Sequence, residues 1–126
     1  MPLIDKLDIN KIIKPKCESS AGFISRAYNQ KLNKCSSVVI VTSGPGLTNL
    51  LTPIASAYYD SVPMLTISGN VSTSLVGKGA FQEAPTTKLT KDITFWSYRL
   101  ENSKFTKSMM ENAIKYINNG KQVHLD

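Results

Sequence analysis

Forty-two consecutive residues, from Ser36 to Gly77, carry a single charged side chain, Asp60. A stretch of that length without Lys or Arg has too little to keep it dissolved as open surface, so it belongs to core, interface or site. Most of it is expected to be buried. The charges it lacks lie on either side: residues 1–35 hold seven Lys/Arg and three acids, and residues 78–126 hold eight and five. The net charge of +6 is therefore spread singly over two flanks, and only two of the cations are arginines. A nucleic-acid footprint gathers basic residues on one face, so this distribution argues against one. The 126 residues suffice for one domain, 1–126, with a real core. The longest apolar run, Val38 to Val41, is far short of the ~20 residues of a membrane span. The opening MPLIDKLDIN lacks a basic flank and apolar region, so the cytoplasm is the expected compartment. Cys17 and Cys35 make neither a disulfide framework nor a zinc set, and they read as reduced thiols.

Periodicity supplies the outline. Ala21, Phe23, Ile24, Ala27, Tyr28 and Leu32 form a helical stripe over Ser19 to Leu32, with Lys31 and Lys34 near the end where they suit the helix dipole. SVVIV at 37–41 is β-branched and bounded by Ser36 and Gly44, which predicts a strand buried on both faces, as in a parallel sheet. GPG at 44–46 ends it. A helical pattern then runs from Leu47 to Asp60 with Pro53 inside it, so a kink or a late start is expected. MLTIS at 64–68 predicts a second buried strand, closed by Gly69 and lying beside the first in the centre of the sheet. Strand, glycine turn, helix and strand make a βαβ unit, whose crossover is right-handed in nearly all proteins. Met109, Met110, Ala113, Ile114 and Ile117 mark a further amphipathic helix, Gly120 its stop, and VHL at 123–125 a last strand. The fold class is α/β, a three-layer domain with a central parallel sheet and helices on both faces. Val71 to Leu100 has no clear pattern.

Taken singly, the motifs say little about chemistry. SGPG after a strand and before a helix stands where α/β folds bind ligands. It is neither G-x-G-x-x-G nor a phosphate loop, and a plain turn accounts for it equally well. Glu18 precedes small residues, Ser19 to Gly22, and as a bare feature is a helix-start glutamate. GAFQE at 79–83 has no meaning alone, and His124, the single histidine, reads as a packing residue. No Ser–His–Asp set, carboxylate pair or metal-ligand spacing is present in the sequence.

As a set these residues are similar to a known family. ESSAGF at 18–23, VVIVTSGPGLTNLLTPIASAYYDSVPMLTISGNVSTSLVGKGAFQEAP at 38–85 and NNGKQVHLD at 118–126 resemble the pyrimidine-binding, N-terminal domain of thiamine diphosphate enzymes of the acetolactate synthase and pyruvate oxidase group. The resemblance covers essentially the whole chain in order. It implies thiamine diphosphate as cofactor, with Glu18 as the catalytic glutamate: hydrogen-bonded to N1′ of the aminopyrimidine, it lets the 4′-nitrogen take the proton from C2 of the thiazolium, which then attacks a 2-oxo acid. Such a glutamate works best in a dry site that raises its pKa. Thr42, Pro45, Asn49 and Gln82 are implied as cofactor-binding residues and Phe81 as facing substrate or cofactor. No metal ligand is implied in this chain.

Three departures from the family pattern set further expectations. Cys17 stands where the family has His before the glutamate. The family's opening strand lies upstream of the segment that PLIDKL at 2–7 resembles and has no counterpart here. The diphosphate-binding domain, whose GDG…N motif holds Mg²⁺, also has none in these 126 residues. Thiamine diphosphate binding is therefore expected to need a partner, a homodimer or a chain carrying the diphosphate-binding domain, with no membrane and no nucleic acid involved. The alternatives are an inactive remnant of such an enzyme, or a basic protein- or nucleic-acid-binding module of the same architecture. Glu18 is expected to point into a shallow pocket at Ser43 to Gly46, with Asn49 and Gln82 on its rim.

Overall fold

The structure, a computed structural model, describes residues 11–126; the PLIDKL segment lies outside the described residues. Four parallel strands, β1 (Val38–Val41), β2 (Met64–Ser68), β3 (Trp96–Tyr98) and β4 (Gln122–Leu125), form one sheet in the order β1-β2-β4-β3. Val38 pairs with Leu65, Leu65 with Val123 and Trp96 with Val123, so the strand ends are level and their carboxyl ends share one edge. The helices are α1 (Glu18–Leu32), α2 (Pro45–Thr48), α3 (Leu51–Tyr59), α4 (Thr86–Thr90) and α5 (Thr106–Asn118). Among the described residues no helix is long and apolar enough to cross a membrane.

Alternation along the strands sends side chains into two cores, one on each face. Val39, Val41 and Met64 meet Leu47, Leu50, Ile54 and Ala57 from α2, α3 and the residue between them. On the other face Leu65, Val123 and Leu125 meet Ala113 of α5. This is the expected three-layer α/β arrangement. Pro53 is the third residue of α3, where a missing N–H costs nothing, and the helix accordingly starts after a break at Asn49 and Leu50. Gly120, at φ +76, follows α5 as its stop.

Two expectations are corrected. Val38 to Val41 is not a central strand: β1 is the sheet's edge, next to β2 as expected, and Val38 is 48% exposed. The core beyond β1's outward face is built by α5 on β2 and β4, so Val38 lacks the cover that Val39 and Val41 receive. Nor is Ser36 to Gly77 mostly buried, because burial concentrates between Val39 and Ser68 while Thr42, Pro45, Thr48, Asn49 and the 72–75 turn face water. That surface is neutral and polar rather than absent. Between Val71 and Leu100 the chain forms a short helix, α4, and a three-residue strand, β3.

His124 is fully buried in the packing role expected of it. Its Nε2 lies 2.8 Å from Ser68 Oγ, and its Nδ1 lies 2.9 Å from Thr90 Oγ1 and 3.1 Å from Ser97 Oγ. Ser68 spends its one hydrogen on Asp126 Oδ1, at 2.6 Å, so it must accept from His124. Nε2 therefore carries a proton; burial keeps the ring neutral, and Nδ1 accepts from Ser97, because Thr90 gives its own hydrogen to the Thr86 carbonyl.

Candidate active site at the start of the first helix

Two elements remote in sequence meet at Glu18. The carboxylate begins α1, where the free N–H groups of a helix favour negative charge. Asn49 closes α2, and its Nδ2 donates to Glu18 Oε2 at 3.0 Å. A second bond fixes the same junction: Ser19 Oγ donates to the Asn49 carbonyl at 2.5 Å. Behind it Gly22 packs directly on Pro53 and Leu50, an approach that a Cβ would block at 2.7 Å from Pro53 Cβ.

The turn from β1 into α2 is shaped by two glycines. Gly44 has φ +53, and a side chain there would collide with the Gln82 backbone, whose carbonyl carbon would stand 2.9 Å away. Gly46 lies against Thr42 and Val41, leaving 2.9 Å to Thr42 Cγ2 for any added Cβ. Pro45 opens α2 at the first helical position, which suits its fixed φ. Gln82 itself adopts φ +60, and the neighbouring Glu83 accepts from the backbone N–H groups of Gly77 and Ala80. Those bonds hold the Glu83 carboxyl below its ordinary range and close the 77–83 loop into a ring over the turn.

The structure thus joins Glu18 to Asn49 and brings the Gln82 backbone to the Ser43–Gly46 turn. It does not assemble the whole predicted set. No hydrogen bond links the Gln82 side chain or Thr42 to Glu18 among the described residues, and Phe81 is 89% exposed, pointing into water. Two clefts, between α4 and β3 and beside Arg99, include none of the residues expected to form the Glu18 pocket. The expected rise in Glu18's pKa is also corrected. Its own backbone N–H and the Asn49 amide hold the carboxyl below the usual range, and little burial opposes them. Sequence reasoning missed Ser19, whose bond to a carbonyl thirty positions away has no local signal, and the loop-anchoring role of Glu83.

The family described as thiamine pyrophosphate enzyme, N-terminal TPP binding domain, matches residues 1–90. The chain belongs to that family. As a TPP enzyme N-terminal domain, it is 36% identical to the mitochondrial acetolactate synthase of Schizosaccharomyces pombe over 88% of its own length and 16% of the relative's. It is 37% identical to the mitochondrial acetolactate synthase catalytic subunit of Saccharomyces cerevisiae over 81% of this chain and 15% of that one. It is 44% identical to the acetolactate synthase large subunit of Lactococcus lactis subsp. lactis over 68% of this chain and 15% of that one. The TPP enzyme N-terminal domain described here therefore spans about a sixth of the length of these relatives.

The donor set fits the cofactor that the family implies. Asn49 occupies one oxygen of Glu18, and no second side chain bonds to that carboxylate among the described residues. A solvent-facing carboxylate at a helix start, beside an amide and a glycine turn without side-chain bulk, can accept a ring N–H and let a flat heterocycle lie against the turn.

Proposed function

We propose that this domain receives the aminopyrimidine ring of thiamine diphosphate at Glu18, as part of an acetolactate synthase-like enzyme acting on a 2-oxo acid. The observation that carries the proposal is the Asn49–Glu18 bond, which aims one carboxylate at the turn after β1 from two separate elements. Once protonated, Glu18 would give its hydrogen to the bare N1′ and, as the carboxylate, then accept from the N1′–H so formed, while Asn49 and Ser19 hold the carboxylate and the turn in register and Gly44 and Gly46 leave room for the ring. Pro45, Thr42 and Gln82 border it, and Phe81 faces substrate or cofactor from the loop. Bound there, the cofactor supplies the carbon nucleophile for the 2-oxo acid.

A carboxylate left open to water and held ionised is a poor proton partner for a ring of near-neutral basicity. The reading therefore includes a covering surface from a second polypeptide or domain, which would dry the site, raise the Glu18 pKa and hold the diphosphate and its Mg²⁺. A second copy of the chain, or a chain carrying the diphosphate-binding domain, fills that role.

The test is complementation. The purified 126-residue chain with thiamine diphosphate, Mg²⁺ and pyruvate should turn over nothing above the free cofactor. Adding a diphosphate-binding domain as a separate chain should restore product, and Glu18→Gln should reduce it on the order of a hundredfold, the usual size of a general acid–base contribution. Equal activity of both proteins would return Glu18 to a helix-start residue, and no product from either would return the chain to an inactive remnant.

A further inference from the structure

A cleft on the far side of the sheet from β1 is lined by Thr87, Lys88, Lys91, Phe95, Trp96 and Ser97. None of these residues takes part in the Glu18 site. We propose that it binds a small aromatic anion of the nucleoside monophosphate class, a phosphate joined to a flat heterocycle.

Charge, ring surface and rigidity each contribute. Lys88 and Lys91 are exposed and three residues apart on either side of the end of α4, the spacing that places two side chains side by side on a helix. Lys121 adds a third ammonium group, 5.1 Å from the centroid of the Phe95 ring. None of the three has a carboxylate within ion-pair distance among the described residues, where the recorded pairs are Arg26–Asp60, Arg99–Asp126 and Lys107–Glu111. Lys88 and Lys91 on the cleft wall, with Lys121 over the Phe95 ring, outnumber the adjoining Asp92 and attract a doubly charged phosphate more strongly than a neutral solute. The floor is aromatic. Phe95 is 51% exposed, and Trp96 beside it is half-buried, so both offer surface to a flat ring.

The wall is also held still. The Phe95 N–H donates to the Gln122 carbonyl at 3.0 Å, Thr94 Oγ1 to the Thr90 carbonyl at 2.8 Å, and Thr90 Oγ1 to the Thr86 carbonyl at 3.0 Å. Tyr116 backs both rings, with centroids 5.1 Å from Phe95 and 5.3 Å from Trp96. The cleft, about 390 Å³, is open on one side, so a nucleotide would lie along it with one face in solvent.

The experiment is unusually direct because Trp96 is the only tryptophan in the chain. Adenosine monophosphate should change its fluorescence saturably, and adenosine or inorganic phosphate alone should bind at least about tenfold more weakly, since each supplies one half of the recognition. Lys88→Gln with Lys91→Gln should weaken the nucleotide about tenfold at low salt with an unchanged melting temperature, both residues being exposed. Phe95→Leu, which keeps apolar bulk without the ring, should cost a similar factor. No saturable change up to millimolar nucleotide would overturn the proposal, as would equal affinity for adenosine or for phosphate, or equal affinity in the lysine double variant. Glu18→Gln should leave the titration unmoved, which separates this cleft from the thiamine site.

Discussion

The Nε2–H of His124 donates to a serine already committed to a carboxylate, and the imidazole is fully buried. Burial pushes its pKa down from 6.5 to about 4, with Asp126 opposing the shift. Between those values the unfolded chain holds a proton that the folded one lacks, so stability is complete above pH 6.5 and is lost as pH falls toward 4. Glu18 and Glu83, held below 4.5, add their losses only under that value. The window from pH 6.5 to 5 therefore belongs to His124, and about 1.5 kcal/mol should disappear across it. Urea midpoints at the two pH values measure this, and His124→Gln should flatten the slope; an equally steep slope in the variant would remove His124 as its source. At this scale the sequence was a fair guide to roles and a poor guide to titration. One histidine flanked by Val123 and Leu125 already signals packing. The pKa of Glu18 depends on Asn49, thirty-one positions away, and on helix N–H groups that only the fold aligns.

Elements with a strong local period were legible: α1, β2 and β4 stand within a residue or so of where apolar spacing put them, and α5 begins three residues before its first apolar marker, Met109. α4 and β3 were not, because a five-residue helix of Thr, Lys and Leu and a strand reading Trp-Ser-Tyr are too short for any period. They exist because β4 offers β3 a hydrogen-bonding edge and Thr90 a buried partner in His124. The position of β1 was misjudged for another reason. An apolar run records the propensity of its residues, not how many neighbours its strand has. Val38→Lys tests the edge placement: at an open edge it should change stability by less than about 0.5 kcal/mol. A loss above about 2 kcal/mol would mean that the position is covered. Gly22 makes the opposite case, since α1 lies on Pro53 with no room for a methyl group. Gly22→Ala should cost about 1–3 kcal/mol by forcing the two helices apart, readable in the urea midpoint. It should also loosen the Ser19–Asn49 junction, so thiamine binding should weaken more than the stability loss alone explains.

On the scale of the whole molecule, three groups of surface differ in chemistry. The helix α1 exposes Phe23, Ile24, Tyr28 and Leu32 along the flank that begins at Glu18, the 42–49 turn is neutral, and the cations lie on both flanks of it, seven before residue 36 and eight after residue 77. The uncharged stretch was thus legible as something other than ordinary surface, but its division into a buried half and a neutral exposed half follows from where helices lie over the sheet. What binds the cofactor's charged end follows from the same map. Among the described residues no group of three His, Cys, Asp or Glu side chains comes together as a metal site. A divalent ion that bridges a diphosphate needs carboxylate or carbonyl oxygens from the protein to gain affinity. The 126-residue chain should therefore bind thiamine diphosphate at Glu18 with the same affinity, within about twofold, whether or not Mg²⁺ is present. Thiamine itself should compete for the site nearly as well. Titrations followed by chemical shifts at Gly44, Gly46 and Asn49 give both affinities, free of the Trp96 cleft. A tenfold gain on adding Mg²⁺ would show that this chain holds the diphosphate and its metal, and the need for a covering domain would then rest on drying Glu18 alone.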